Sequence, residues 1–187
     1  MAELIYASNT SLDGCTEDAD GNLAWAPPDD AVFDTITELM ASMATYLYGR
    51  RMYETMAVWE TDPTLAAQSD RAARYAQVWQ APEKVVYSAT LDAPVTARTR
   101  IERSFDPEAV RALKASSAGP VLVGGPHLAA SAMAAGLVDE IVLYVWPVIV
   151  GGRNPALPQD QRMDLRLVSE RVIGAGVVEL RYRMTDR

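Results

Sequence analysis

The segment Val121-Leu122-Val123-Gly124-Gly125-Pro126-His127 carries the strongest fold signal in the chain. Its three leading apolar residues predict a short buried strand, and the two glycines predict a tight turn after it. Proline is favoured at the first position of a helix, so the next helix is predicted to begin at Pro126. A strand that passes through a turn into a helix is the repeating unit of α/β proteins.

The same alternation extends over most of the chain. Short apolar runs predict further strands at residues 4–7, 46–48, 85–87, 101–105 and 141–146. Apolar periodicity and capping residues predict the intervening helices, including one continuous helical pattern over residues 63–79. After Gly151-Gly152 the pattern changes to two strands, 165–172 and 177–184, separated by a Gly-Ala-Gly turn. The predicted fold is therefore α/β with three layers: a mostly parallel central sheet, helices on both faces and an antiparallel C-terminal hairpin.

The composition indicates a globular protein with a single domain over residues 1–187. Its 17 basic and 25 acidic side chains give a net charge of −8, which argues against nucleic acid or an anionic membrane as a partner. No apolar run is long enough to cross a bilayer, and the N-terminus carries no export signal. Cys15 is the only cysteine, and no metal-ligand cluster is visible. We expect a cytoplasmic protein without a metal site.

Three predicted strand-to-helix or strand-to-turn junctions carry groups that bind phosphate. Gly49-Arg50-Arg51 combines a helix start with two guanidinium groups, although two arginines can also simply solvate a helix. Gly124-Gly125-Pro126-His127 suits a pyrophosphate lying against the backbone, although such a turn is often only a turn and a lone histidine is often incidental. The hydroxyls of Tyr87-Ser88-Ala89-Thr90 suit a phosphate or a ribose, or form a plain turn. An arginine pair with a serine favours a 2′-phosphate, and therefore NADP(H) over NAD(H).

Two carboxylates are candidates for the substrate side. Asp13 follows the first predicted strand, and Asp30 lies at the start of the first predicted helix. A carboxylate in an apolar cleft can orient a heterocycle or move a proton, so Asp30 is the candidate catalytic residue. The alternative is that Asp29 and Asp30 only cap the helix.

These junctions, in this order, resemble the dihydrofolate reductase-like superfamily. The resemblance is closest to stand-alone proteins related to the RibD C-terminal reductase domain of riboflavin biosynthesis, and its segments are residues 7–14, 48–54, 86–91, 121–125 and 136–141. It implies a dihydrofolate reductase-like fold, NADPH as the cofactor and a homodimer. It also implies hydride transfer to a small pterin-like or pyrimidine-like heterocycle.

The resemblance also assigns residues to the cofactor. It implies that Gly49, Arg50 and Arg51 hold the 2′-phosphate and pyrophosphate, and that Asn9 lies beside the nicotinamide. Together with the junction residues above, the predicted cofactor site comprises Asn9, Gly49, Arg50, Arg51, Ser88, Ala89, Gly124, Gly125, Pro126 and His127. The predicted substrate site comprises Asp13, Trp25, Tyr53 and Trp59, with the spacing of Trp25 and Asp30 matching that of true dihydrofolate reductases.

Several positions depart from the family pattern. Met52 stands where a small hydroxylated residue is common, and Cys15-Thr16-Glu17-Asp18 replaces a lysine with small residues, which is unsuited to a ribityl phosphate. No zinc-binding deaminase domain is present, and no arginine is clearly placed for the glutamate tail of a folate. The leading hypothesis is an NADPH-dependent reductase. The alternatives are a non-catalytic NADP(H)-binding sensor or interaction module, and a structural dimer subunit.

Overall fold

The computed structural model describes residues 1–185 of the chain. The strands in this range are β1 (Leu4–Ser11), β2 (Thr45–Gly49), β3 (Glu83–Tyr87), β4 (Thr99–Glu102), β5 (Val121–Gly124), β6 (Glu140–Trp146), β7 (Leu165–Val172) and β8 (Val178–Met184). The helices are α1 (Asp30–Ala41), α2 (Arg50–Thr61), α3 (Pro63–Ala66), α4 (Asp70–Gln80), α5 (Pro107–Ser116) and α6 (Pro126–Ala134). A single 3₁₀ turn, Gly174–Gly176, joins β7 to β8.

All these strands form one sheet in the order β4-β3-β2-β5-β1-β6-β8-β7. The pairs from β4 through to β6 are parallel, whereas β8 pairs antiparallel with both β6 and β7. The predicted mostly parallel sheet with an antiparallel C-terminal hairpin is therefore confirmed. Burial of both faces explains why β5 and β6 read as continuous apolar runs.

Alternate residues of the strands feed two separate cores, one on each face of the sheet. On one face, Val32 of α1, Tyr53 of α2 and Trp79 of α4 pack on the sheet. On the other face, Val110 of α5 and Ala129 of α6 do the same. The three predicted layers are present, and the helices that follow β1 and β5 lie on opposite faces.

Element boundaries differ from the prediction in two places that matter for the site. The predicted helix over residues 63–79 is broken into α3 and α4, because the Ser69 hydroxyl accepts a hydrogen bond from the Ala72 N–H and starts a new helix. Strand β1 continues to Ser11, four residues beyond its predicted end. Its polar end stays in the sheet because it is paired with β6 as far as the Ser11–Trp146 register.

Candidate functional site

The carboxyl ends of the parallel strands form one edge of the sheet, and their order fixes which loops are neighbours. The ends of β3, β2, β5, β1 and β6 follow one another along this edge. Neighbouring strands are about 4.8 Å apart, so β3 and β1 are about 14 Å apart. The helices after β1 and β2 cover one face and the helix after β5 covers the other, so the crevice that open α/β sheets form at such a change of face is expected at the end of β5. Ligands of open α/β sheets bind at such a switch point.

The diglycine turn at the end of β5 is required by packing and by backbone conformation. A Cβ atom at Gly124 would lie 2.6 Å from the Tyr48 ring, and Gly125 has a φ of +90° that side chains rarely adopt. Helix α6 begins directly after the turn, with Pro126 in its first turn and no side chain capping its N-terminus. The first N–H groups of α6 are therefore available to an anion, with His127 exposed beside them.

The start of α2 differs from this turn in having free space above it. Gly49 is the N-cap, no side chain caps the helix, and apart from its chain neighbours no atom of the described residues lies within 4 Å of a Cβ built at Gly49. The backbone at Gly49 has an ordinary extended conformation that an alanine could adopt. Packing therefore does not require a glycine here, and the space above the backbone is open to a ligand.

Arg50 and Arg51 point in opposite directions along the sheet edge. Arg50 donates to Thr90 Oγ1 at 2.8 Å, in the loop after β3, and pairs with Glu54 at 2.7 Å. Arg51 donates to Glu17 Oε1 at 2.9 Å, in the loop after β1. The two guanidinium groups therefore lie at different ends of the crevice, one near the loop after β3 and one near the loop after β1. Both arginines are exposed.

The loop after β3 is held by hydrogen bonds of its own. The buried Ser88 hydroxyl accepts from the N–H groups of Thr90 and Leu91, so it shapes the turn. Ala89 is exposed at the turn. Arg103 donates to the Leu91 carbonyl at 2.7 Å and fixes the loop from outside. Sequence reasoning selected Ser88 and Ala89 and placed the Thr90 hydroxyl in the same junction, but it missed Arg103.

At the other end of the crevice, β1 and β6 are joined by side chains. Trp146 Nε1 donates to Asn9 Oδ1 at 3.0 Å, and Trp25 meets Trp146 edge-on with ring centroids 6.5 Å apart. Within residues 1–185, the indole N–H of Trp25 is buried and has no hydrogen-bond partner. Sequence reasoning treated Trp146 as part of a core strand, so its position beside Asn9 was missed.

The two predicted carboxylates occupy different environments. The Asp13 carboxylate accepts from the N–H groups of Val150 and Gly151, at 3.1 and 2.8 Å, and so joins the loops after β1 and β6. The Ser11 hydroxyl and these two N–H groups hold the pKa of Asp13 below its ordinary value. Asp13 therefore stabilises the loops around the crevice.

Asp29 and Asp30 are separated by the structure. Asp29 is the N-cap of α1 and accepts from the Val32 N–H at 2.9 Å. The Asp30 side chain is 78% exposed and lies 2.9 Å from Arg71 of α4, which also pairs with Asp34. Asp30 is thus free of the capping role, and its catalytic assignment stays a prediction.

The predicted aromatic walls lie at different depths. Tyr53 is fully buried, and its hydroxyl accepts from the N–H groups of Val95 and Thr96, so it positions the loop before β4. Trp59 is partly buried and packs against Phe33 and Tyr75, with ring centroids 6.3 and 4.6 Å away. Trp59 therefore retains surface for a flat ligand, whereas Tyr53 shows none.

Residues 1–185 contain neither a metal-binding cluster nor a helix that could span a membrane. No group of three or more histidine, cysteine, aspartate or glutamate side chains is arranged to hold a metal ion. Within the same range, no helix combines the length and the apolar character needed to cross a membrane.

Comparison with known proteins identifies the family. The model of the RibD C-terminal domain family matches residues 2–179, so the chain belongs to this family. The chain is 33% identical to the riboflavin biosynthesis protein RibD of Mycobacterium tuberculosis, covering 81% of this chain and 44% of RibD. It therefore spans less than half of that relative. It is also 26% identical to the uncharacterized protein YyaP of Bacillus subtilis, covering 96% of this chain and 93% of YyaP.

A solved structure supports the same fold. Dihydrofolate reductase from Enterococcus faecalis, complexed with NADP(H) and RAB-propyl, matches with a TM-score of 0.62 at 13% identity, covering 98% of this chain and 97% of that chain. The predicted dihydrofolate reductase-like fold is therefore confirmed, and the family of the chain is a family of reductases.

Proposed function

We propose that this protein binds NADPH across the carboxyl ends of β3, β2, β5 and β1 and transfers its hydride to a small heterocycle. The observation that carries the proposal is the pair of helix starts without side-chain caps, at Gly49 and Gly125, with Arg50 and Arg51 beside the first. Backbone N–H groups and guanidinium groups are the donors that phosphates prefer. The free space above Gly49 fits a phosphate that approaches the backbone.

The direction of each arginine suggests the orientation of the cofactor. Arg50 with Thr90 suits the adenosine 2′-phosphate, because both lie at the β3 end of the crevice. Arg51 with the start of α6 suits the pyrophosphate. Asn9 and Trp146 then flank the nicotinamide end. Bound NADPH supplies the hydride, while the protein binds and orients the two reactants.

The charges around the crevice favour an unphosphorylated substrate. The loop after β1 carries the acidic residues Asp13, Glu17, Asp18 and Asp20. It carries no basic residue, and the first basic residue of the chain is Arg50. A phosphorylated substrate over this loop would meet like charges. Partly buried apolar side chains, Trp25, Phe33, Met52, Met56 and Trp59, suit a flat uncharged ring. Asp30 accepts hydrogen bonds from ring N–H groups in this proposal and assists protonation.

The proposal is tested by NADPH consumption with dihydrofolate and with a panel of pyrimidinones, pterins and nitroaromatics. Turnover of an unphosphorylated heterocycle is expected. Tight NADPH binding without turnover of any substrate would instead support the non-catalytic NADP(H)-binding module.

We also propose a homodimer in which β7 pairs with a second copy. Strand β7 ends the sheet and exposes apolar side chains of Leu167, Val168 and Val172. Exposed apolar edge strands readily pair with another chain. Light scattering after gel filtration should give twice the chain mass, and Val168→Lys should shift it to one chain mass. A monomeric wild type contradicts the dimer without affecting the reductase proposal.

A further inference from the structure

Arg51 already holds an anion supplied by the chain itself. Its guanidinium lies 2.9 Å from the Glu17 carboxylate. The Glu17 side chain is only 18% exposed, whereas that of Arg51 is 71% exposed. The largely buried Glu17 carboxylate therefore contacts one side of the Arg51 guanidinium group. The other side of that group faces solvent.

The residues before Glu17 are firmly attached to the body of the protein. The Thr16 N–H donates to the Asn154 carbonyl at 2.8 Å, and Cys15 forms a β-bridge with Pro155. A Cβ at Gly152 would lie 1.8 Å from the Glu17 carbonyl oxygen, so the two backbones are in direct contact. Glu17 is thus held by its backbone in front of Arg51.

The residues after Glu17 are attached differently. Asp18 accepts hydrogen bonds from the N–H groups of Asp20 and Asn22, and residues 19–24 are exposed. In the described part of the chain, the Glu17–Arg51 pair is the one polar contact that ties residues 17–24 to α2. These residues lead directly to Trp25, which packs on Trp146 at the substrate end.

We infer that Glu17 is a displaceable internal anion, which occupies Arg51 until the phosphate of the cofactor takes its place. This inference rests on the proposed function, since it requires NADPH to use Arg51. A phosphate accepts charge-assisted hydrogen bonds from a guanidinium group, and two anions on one arginine repel each other. Cofactor binding and release of residues 18–24 from α2 are therefore coupled.

The coupling works in both directions. If NADPH weakens the Glu17–Arg51 contact, then removing the Glu17 charge must strengthen NADPH binding. Exposed ion pairs contribute up to about 1 kcal/mol, which corresponds to about fivefold in affinity. The Glu17 carboxylate therefore lowers the affinity for NADPH by up to about fivefold.

The test compares Glu17→Gln with Asp20→Asn. Both variants remove one negative charge from the same loop, but the Asp20 side chain has no ion pair in residues 1–185. The dissociation constant of NADPH is measured by fluorescence titration at low salt. Glu17→Gln is expected to bind NADPH about three- to fivefold more tightly than wild type, and Asp20→Asn to match wild type. Glu17→Ala should show the same gain in affinity. It removes the charge and also the hydrogen bond that a glutamine side chain could still accept from Arg51.

Hydrogen exchange provides the second measurement. In wild type, NADPH should speed amide exchange in residues 18–24, whereas in Glu17→Gln exchange there should already be fast without NADPH. Equal affinities in Glu17→Gln and Asp20→Asn, or slower exchange in residues 18–24 on NADPH binding, would overturn the inference while leaving the proposed function intact. Failure of every variant and of wild type to bind NADPH would overturn both.

Discussion

Trp146 and Asn9 are joined by a hydrogen bond of 3.0 Å from the indole N–H to the side-chain oxygen. They lie on neighbouring parallel strands, two register positions apart, at the edge where the substrate end of the crevice is proposed. Trp146 is buried and Asn9 is exposed. The hydrogen bond from the buried Trp146 indole therefore fixes the orientation of the exposed Asn9 side-chain amide.

A double-mutant cycle of Trp146→Phe and Asn9→Ala tests this relationship. A hydrogen bond of this kind contributes about 1 kcal/mol, so the cycle should give a coupling free energy of about that size in urea unfolding. The control cycle pairs Trp79→Phe with Asn9→Ala and should give no coupling, because Trp79 is equally buried while the Asn9 side chain is bonded to Trp146. A coupling near zero would show that the two side chains act independently.

Gly49 and Gly124 should respond to alanine in opposite ways. At Gly49 a methyl group meets open space and an ordinary backbone conformation, so Gly49→Ala should fold with only the small loss of stability that alanine causes at an N-cap. It should nevertheless weaken NADPH binding, because the methyl group occupies the space above the α2 start. At Gly124 the methyl group meets the Tyr48 ring, so Gly124→Ala should lower the melting temperature. Unchanged NADPH affinity in Gly49→Ala would place the phosphates elsewhere.

Asp30→Asn tests the assignment of the candidate catalytic residue. The Asp30 side chain is exposed and does not cap α1, so the substitution should leave folding and NADPH affinity intact while lowering turnover. Asp29→Ala is the contrasting variant, because loss of the helix cap should reduce the free energy of unfolding by about 1 kcal/mol. If Asp30→Asn retains full turnover, Asp30 serves only the ion pair with Arg71.

Glu179 should make the antiparallel part of the sheet sensitive to acid. Burial alone would raise the pKa of its carboxyl, but hydrogen bonds from Arg171 and Arg181 hold that pKa below the ordinary value of 4.5. A depressed pKa stabilises the folded state above the unfolded-state pKa, and this stabilisation is lost as the pH falls through the lower folded-state value. The free energy of unfolding should therefore decrease as the pH is lowered below about 4.5.

Glu179→Gln should remove this part of the acid sensitivity and cost about 1 kcal/mol at neutral pH, because Arg171 is half exposed and Arg181 keeps Glu140 as a partner. Urea unfolding at several pH values measures both effects. Glu170→Gln, at an exposed position of the neighbouring strand, should change neither. An identical pH profile for Glu179→Gln and wild type would contradict this account.

Local patterns in the sequence predicted the sheet, the hairpin and most of the helices. Apolar runs such as residues 121–123 and 141–146 predicted their strands correctly, because a strand covered on both faces is apolar throughout. The polar end of β1 was missed because Asn9 and Ser11 are held in the strand by β6, more than 130 residues away. The break at Ser69 was missed because a hydroxyl cap overrides a continuous helical pattern.

The candidate site was predicted only in outline for the same reason. Local sequence identified the glycines and arginines at strand ends, since turns and helix starts have local signals. It could not identify Thr90 as the partner of Arg50 or Glu17 as the partner of Arg51, because those contacts depend on how distant loops meet at the sheet edge.

The central claim is that the sheet edge binds NADPH with its 2′-phosphate on Arg50. It is tested most directly by titrating wild type and Arg50→Ala with NADPH and with NADH, with Arg98→Ala, whose partner is Glu83, as the control. Hydrogen bonds to charged groups contribute about 1.5–3 kcal/mol, so wild type should prefer NADPH by at least about tenfold. Arg50→Ala should lose most of this preference while keeping its affinity for NADH. No saturable NADPH binding by wild type, or an unchanged preference in Arg50→Ala, would contradict the account.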